Sequence, residues 1–524
     1  MQEYLSKKHK AVIMLGLTLS VLLAALDSTV VSTAMKKITD DLNGMNAYAW
    51  PFTMYMLFST IATPISGKLG DIFGRKPLYL IGAFTFLTGS GLCGLSQTML
   101  QLIIFRGLQG IGGGMLMSNT FSIIGDIFAP SERAKYTGIA FSAFGLASLI
   151  GPSLGGYIAD TLGWRWVFYI NLPIGIFLVA LMISALPVIK ADTSIKRKID
   201  YAGTALLVLG LLPMLLAFTW AGKDYNWLSP QILGMLAFSV LMLILFGFVE
   251  KKAAEPILPI SLFKNNTFKV SAAAAFLSNA TMFGAVLFIP LFVQVVIGAN
   301  ATNSGMVTTP MMIGFTVASI LSGQAISRFK NLRIFGVAGF ILTGIGIFML
   351  TRLTVASTRS EVVIDMVIAG LGIGLNMPVF NLAVQNAFPQ SQLGVVTSAV
   401  QFFRNIGGTI ASAVLGSVML SSMKTGLKRI DLGTLAAEGS SSLHSIIKDP
   451  QSLTNPGTIA GIRAQIPQSA IPEFNKFLIH LKNILSNAIH DVFIVCLLIA
   501  VTAILTAFFL PNTPLLKKQD SQSV

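Results

Sequence analysis

Residues Ala11 to Val31 form an apolar run of 21 positions broken by one charge, Asp27. About 20 consecutive apolar residues make a helix long enough to cross the roughly 30 Å hydrocarbon core of a bilayer. In lipid every backbone N–H and C=O must find its partner within the chain, which excludes open strands and leaves helices. Runs of this kind recur, and the sequence predicts fourteen helices, near 11–34, 48–67, 78–97, 99–124, 136–159, 165–186, 201–221, 230–249, 270–297, 304–326, 333–351, 362–383, 395–419 and 487–510. Composition agrees: 11% of the residues are charged, against about 25% in a soluble chain. The expected class is therefore an all-α membrane protein. The first run is too long for the apolar stretch of a cleaved leader and more spans follow it, so it is expected to stay in place.

The net charge of +15 does not point to nucleic acid, because the basic residues sit in short connections between apolar runs. In a membrane protein that pattern sets orientation. With the N-terminus inside, the inner segments hold 21 Lys and Arg and the short outer loops hold 6. Both termini are expected to be cytoplasmic in a multi-pass protein of the cell membrane, most simply a bacterial plasma membrane. Cys93 and Cys496 both lie in apolar runs and read as reduced core residues. The one long connection, 420–486, is placed outside. It contains Ser440, Ser441 and Ser442 and prolines 450, 456, 467 and 472. Its last part is amphipathic, with Phe474, Phe477, Leu478, Leu481 and Leu485 on one helical face. It reads either as a helix packed on the outer surface or as a lid over the outer exit.

The chain repeats itself. The connection after helix 2 reads Gly67-Lys68-Leu69-Gly70-Asp71-Ile72-Phe73-Gly74-Arg75-Lys76, and that after helix 10 reads Gly323-Gln324-Ala325-Ile326-Ser327-Arg328-Phe329-Lys330. Gly110, Gly112, Gly113 and Gly114 in helix 4 return as Gly370, Gly372 and Gly374 in helix 12. Two copies of a six-helix unit with two helices inserted between them explain both spacings. The domain reading is a cytoplasmic segment 1–10, an N-terminal bundle 11–186, a linker 187–269 with two extra helices, a C-terminal bundle 270–510 that includes the 420–486 connection, and a cytoplasmic segment 511–524. Repeated halves are a signature of secondary transporters, whose substrate site lies between the halves near the midplane.

These residues resemble the major facilitator superfamily, and within it the fourteen-helix drug:proton antiporters. The likeness rests on Gly67-x-Leu69-x-Asp71-x-x-Gly74-Arg75-Lys76 after helix 2 and on Arg106-Gly107-Leu108-Gln109-Gly110 in helix 4. It rests also on Gly145 with Gly151-Pro152-Ser153-Leu154-Gly155-Gly156 in helix 5, and on Leu26-Asp27-Ser28-Thr29-Val30-Val31 in helix 1. The last motif is Trp164-Arg165-Trp166-Val167-Phe168-Tyr169-Ile170-Asn171-Leu172-Pro173 at the start of helix 6. The resemblance implies the major facilitator fold with fourteen helices as six plus two plus six, and two pseudo-symmetric bundles. It also implies that the helix 5 motif seals the pathway against leak. Ile72 stands where the loop signature often has a basic residue, and Ser327 replaces Asp71 in the second copy, so the second gate should be less ionic.

The residues themselves supply the site candidates. Charges inside a span are costly and face a cavity or a partner. At 1.5 Å rise per residue, Asp27 and Arg106 lie at similar depth, roughly 12 and 10 Å below the outer ends of their helices. Burial favours a neutral carboxyl and a nearby cation favours a charged one, which makes this pair the proton-coupling candidate. The alternative is a permanent pair that only fixes helix packing. Asp71 and Arg75, on a turn made by Gly67 and Gly74, form a candidate cytoplasmic gate or a purely orienting charge. Gly145, Gly151, Pro152, Gly155 and Gly156 permit a bend and close approach, or are ordinary membrane packing. The substrate cavity is expected to be mostly apolar, with Met, Phe and a few amides: Tyr55, Gln109, Asn279, Gln294, Asn376 and Arg404 are candidates for it, with Asn381 and Gln385 as further amides nearby. Arg404 either pairs with backbone carbonyls or meets an anionic substrate group. Asp365 and Asp491 read as solvated charges at helix ends.

No Gly-x4-Gly-Lys-Ser/Thr loop occurs, so ATP-driven pumping is disfavoured, and no His-Glu-x-x-His occurs, so an enzyme is not expected. No cofactor or metal is called for. The energy source would be the proton gradient, and the partners would be protons, the lipid bilayer and a small amphipathic substrate, with a monomer expected. The leading expectation is a proton-coupled exporter of small amphipathic or lipophilic compounds. The alternatives are export or flipping of a lipid-like metabolite, and a non-transporting sensor or channel on the same fold.

Overall fold

The computed structural model describes residues 6–44, 47–187, 199–222, 224–297, 301–427 and 471–511. Fourteen long helices run through them. The first six are α1 (Lys7–Asp41), α2 (Trp50–Phe73), α3 (Arg75–Leu95), α4 (Met99–Ile127), α5 (Pro130–Thr161) and α6 (Asn171–Ala185). Two more follow, α7 (Tyr201–Trp220) and α8 (Pro230–Lys252). The last six are α9 (Asn266–Leu291), α10 (Ala301–Phe329), α11 (Leu332–Thr351), α12 (Arg359–Ala387), α13 (Leu393–Leu427) and α14 (Ile471–Phe508). Thirteen spans are long and apolar enough to cross a membrane by length and composition, α2 being the exception. We call the side where α1 starts and α14 ends the near face and the opposite side the far face.

Several helices outrun their apolar stretches. α1 continues past Ala34 because Met35 and Ile38 stay buried on the same side as Val31. The largest correction is at the long connection. α13 reaches Leu427 and α14 begins at Ile471, so the amphipathic stretch is the first part of α14 and not a separate surface helix or lid. Its apolar stripe explains this: Phe477, Leu481 and Leu485 are buried against the bundle and continue into Ala488 and Val492. Residues 428–470, with Ser440 to Ser442 and prolines 450, 456 and 467, lie outside the described residues, as do 188–198 and 512–524. Helix 6 begins with a separate turn, Trp166–Tyr169, before Asn171. Pro173 then falls in the first turn of α6, where a missing N–H costs nothing. In α9, Pro290 withholds one backbone donor and the helix widens into a π turn over Phe292–Val296.

The repeat is visible as a repeated pairing. In the first half α2 packs on α4, α3 on α4, α1 on α5 and on α6, and α3 on α6. In the second half α10 packs on α12, α11 on α12, α9 on α13 and on α14, and α11 on α14. Lipid tails are as apolar as leucine, so helices in a membrane associate through close packing at small residues. The glycine stretches do this identically in both halves. A side chain at Gly110, Gly112 or Gly114 would strike the backbone of Tyr55, Phe86 or Ser59. One at Gly370, Gly372 or Gly374 would strike Met311, Thr343 or Phe315.

The halves meet along α5 with α10 and along α2 with α13. These junctions are also related by the repeat. Gly323 faces the carbonyl of Ala134, and Gly67 faces that of Gly394. α7 and α8 pack on each other, and α7 lies beside α2 and α13. They are tied at the near face by Lys68 with Glu255 (2.7 Å) and at the far face by Trp227 with Ser417 (2.7 Å).

Candidate functional site

Asp27 and Arg106 are both buried and joined, Arg106 Nη1 lying 2.5 Å from Asp27 Oδ2. Helix periodicity builds a shell around them. Gln109, one turn beyond Arg106 on α4, accepts from Arg106 Nη1 (2.7 Å) and donates Nε2–H to Asp27 Oδ1 (2.7 Å). Asn171, at the start of α6, donates to the same oxygen (2.9 Å) and to Ser90 Oγ on α3 (3.0 Å). Arg106 Nε donates to the Pro51 carbonyl on α2 (3.4 Å). Five helices of the first half thus meet around this ion pair and its partners. Asn171 was quoted in the helix 6 motif but given no role by sequence reasoning; that motif was the available signal. Gln109 belongs to this cluster and not to the cavity where it was expected, because its side of α4 faces the bundle interior.

Tyr55 connects the cluster to a central chamber. The Arg106 guanidinium lies 4.3 Å from the centre of the Tyr55 ring. Tyr55 also lines a cavity of about 170 Å³ between the halves. The chamber wall is aromatic and thioether-rich: Met56, Met117, Phe121, Phe141 and Phe144 from the first half, Met282, Phe283, Phe315 and Met377 from the second. Ser28, Ser59, Thr60, Asn279, Gln401 and Asn405 add polar points. Of the expected cavity residues, Tyr55, Asn279 and Arg404 are on this wall. Asn376 is not: it turns to α11, its amide packing at Gly339, where with the nitrogen toward α11 it would donate to the Gly336 carbonyl (2.9 Å) and accept from Phe340 N–H (3.2 Å). Gln294 falls in the π turn of helix 9, outside the lining. The Met and Phe character of the wall is as expected, but not which of the 22 Met and 36 Phe form it, because periodicity does not separate a chamber wall from a packed interior.

At the near face, Asp71 and Arg75 form an ion pair. Arg75 Nε also bonds Asp126 Oδ2 at the end of α4 (3.0 Å), and its Nη1 reaches the Gly67 carbonyl (3.3 Å). Gly74, at φ 96°, supplies the turn that brings Arg75 back over α2. Asp71 Oδ2 then accepts from Val395 N–H in the first turn of α13 (2.9 Å), where the helix dipole favours an anion. This contact joins the halves. Arg133 Nη1 donates to the Gln385 carbonyl (3.1 Å), Gln385 Nε2 to the Phe121 carbonyl (3.1 Å) and Gln390 Nε2 to the Asp126 carbonyl (3.4 Å). Among the described residues the hydrogen bonds between the halves lie toward this face, and they seal the chamber from it. At the equivalent α5–α10 junction Ser327 bonds the Gly323 carbonyl of its own helix (3.0 Å). Asp126 was missed because it stands at a helix end, where a carboxylate is ordinary.

The helix 5 glycines divide. Gly145 faces Thr316 on α10, across the halves, while Gly151 and Gly155 face Thr29 and Val30 on α1. Gly156 faces open space. Helix α5 runs unbroken through Pro152. Asp365, expected to be solvated, is buried in α12.

The family model described as Major Facilitator Superfamily matches residues 17–412. The chain is 40% identical to the multidrug transporter protein MdtP of Bacillus subtilis (strain 168), over 98% of this chain and 96% of that protein. It is 37% identical to multidrug resistance protein 3 of the same organism, over 95% and 94%. Among solved structures it resembles the proton:xylose symporter XylE with a TM-score of 0.58, at 14% identity, over 98% of both chains.

Proposed function

The chain belongs to the major facilitator superfamily, and from that premise we propose that it is a proton-coupled exporter of small amphipathic or lipophilic compounds. The observation that carries the reading is Tyr55, which lines the chamber between the halves and covers the guanidinium that holds Asp27. The two relatives named above, a multidrug transporter and a multidrug resistance protein, support drug-like compounds as the transported class. We also place the near face in the cytoplasm, on the Lys and Arg bias of its connections.

The steps follow from the contacts. With Asp27 ionised, Arg106, Gln109 and Asn171 all donate to it and hold α1, α4 and α6 together. A proton on Asp27 removes the negative charge, and Arg106 is left with Gln109 on its own helix and with Pro51 and the Tyr55 ring on α2. The pull on α2 therefore changes with protonation. α2 carries one wall of the chamber and packs on α13 across the halves. Opening of the near face requires release of Asp71 from Val395 and of Arg133 from Gln385. The Met and Phe wall suits loose recognition, since methionine is flexible and aromatic faces accept varied apolar shapes. The coupling ion is the proton of Asp27, and the cycle is alternating access.

The test is reconstitution in liposomes with an imposed pH gradient and a set of lipophilic cations, neutral drugs and fluorescent lipids. Addition of a substrate should move protons against it in the wild type and not in Asp27→Asn. Transport without proton movement would remove the coupling, and movement of no solute would favour a sensor. A second reading is movement of a lipid-like metabolite. A cavity of about 550 Å³ lies between α2, α7 and α13 in the far half, and Met56 lines both it and the chamber. Faster movement of a fluorescent lipid than of any drug in the same assay would favour it.

A further inference from the structure

The chamber wall carries one charged side chain, Arg404, and no carboxylate. Arg404 is 3% exposed. Its neighbours are poor partners for a full charge. Nη1 points at the Met377 thioether (2.6 Å), Nη2 reaches the Met377 carbonyl at 3.5 Å, and the guanidinium lies 5.2 Å from the centre of the Phe141 ring. Nε has no partner. None of the ion pairs among the described residues involves it.

The contrast with Arg106 makes this informative. Arg106 is equally buried, on a helix of the other half, and is met by Asp27, Gln109 and the Pro51 carbonyl. Taking a guanidinium out of water is costly, and buried charges are normally paired or functional. A sulfur acceptor and an aromatic face do not replace a carboxylate. The packing of α13 does not need a cation here either, since its close approach to α9 comes from Gly407 against the Phe276 backbone. Arg404 is therefore under-satisfied in a cavity, with donors on its planar fork to spare.

We propose that the chamber binds amphiphilic compounds bearing a single carboxylate, with the carboxylate seated on Arg404 and the apolar body against the Met and Phe wall. A planar carboxylate matches the guanidinium fork in two parallel hydrogen bonds. Asn279 fixes the arginine from behind, its Nδ2 donating to the Arg404 carbonyl (2.9 Å). The anion would also sit between the halves, because Phe141 is on α5 and Arg404 on α13. A monocation of the same shape meets like charge and no acid. This assignment rests on the exporter reading for its biological sense, and its binding test stands apart from it.

Three pyrene probes of one scaffold decide it: pyrenebutyrate, its methyl ester and the matching trimethylammonium compound. Binding is read by pyrene fluorescence with the full chain in nanodiscs at about pH 8, where a carboxylic acid is ionised. A charge-assisted pair in a buried site corresponds to roughly a 10-fold or greater preference, so the acid should bind roughly 10-fold tighter than the ester. Arg404→Gln should abolish that preference, and a cooperative thermal unfolding transition of the variant shows that it is folded. Arg404→Lys should keep part of it. Equal binding of acid and ester by the wild type, or an acid affinity unmoved by Arg404→Gln, overturns the proposal. If proteoliposomes bind the acid through Arg404 but move none of the probes, the exporter reading fails and the anion site stands.

Discussion

Tyr55 separates Arg106 from the chamber: its side chain lines the cavity, and the guanidinium lies 4.3 Å from its ring centre. The buried ion pair is thus one side chain away from the chamber. Replacing Tyr55 by Phe keeps the ring and should keep transport. Tyr55→Ala uncovers Arg106, and a pH gradient across proteoliposomes should then decay without substrate. A pH-sensitive dye inside the vesicles reads that leak directly, and an intact gradient in Tyr55→Ala would remove the separating role.

Asp27 accepts from three side chains on two helices. Asp27→Asn preserves shape but leaves Arg106 as a buried cation without its anion. Breaking a buried pair on one side costs about 3–5 kcal/mol. The variant should lose proton-coupled transport and show a lower Tm in detergent. Asp27→Asn with Arg106→Gln should regain much of that Tm and none of the coupling. Thermal unfolding and substrate-driven proton movement separate the two effects.

At the near face Gly67 leaves no room for a side chain against Ser398 and the Gly394 carbonyl. Gly67→Val should push α2 from α13 and break the bond from Val395 to Asp71. A cysteine placed at the buried Thr397 should then react with a membrane-impermeant thiol reagent, whereas in a Gly67 background it should not. Both native cysteines are buried, so the background labelling is low. Equal labelling in the two backgrounds would show that the junction does not depend on Gly67.

The glycine stretches make a paired prediction. Gly110→Ala and Gly370→Ala each place a methyl group against backbone that cannot turn aside, the carbonyls of Tyr55 and Met311. Overpacking of this kind costs about 1–3 kcal/mol, and the two variants should lose similar amounts of Tm. Gly156→Ala, which meets open space, should be neutral in the same measurement. A loss of transport in Gly156→Ala at unchanged Tm would point to a conformation in which that position closes.

Ion pairing at the gate should respond to charge alone. Asp71→Asn retains an acceptor for Val395 N–H but removes the partner that Arg75 shares with Asp126. Transport should fall several-fold, and Arg75→Lys, which loses the fork geometry that reaches both carboxylates and the Gly67 carbonyl, should fall comparably. Initial transport rates in proteoliposomes give both numbers. Full activity in both variants would leave Arg75 as an orienting charge.

The sequence by itself determined the solvent, the helix number and the repeat. Each is a property of local pattern: an apolar run of sufficient length has one solution in lipid, and two similar runs of glycines impose two similar packings. It also put Asp27 and Arg106 at similar depth, because depth along a straight helix follows from counting residues. It did not show that Asn171 and Gln109 complete that cluster, or that Asn376 turns away to α11. A helix that is apolar all round gives no sign of which neighbour each side meets. The amphipathic start of α14 was legible as a helix, but not as a continuation of the span, since residues 471–486 lack the unbroken apolar run that marks a crossing. Only the tertiary structure decided which cation is paired. Arg106 and Arg404 look alike in sequence, each a single charge in an apolar run. Packing of five helices gives the first a carboxylate, and packing of two halves leaves the second facing a chamber without one.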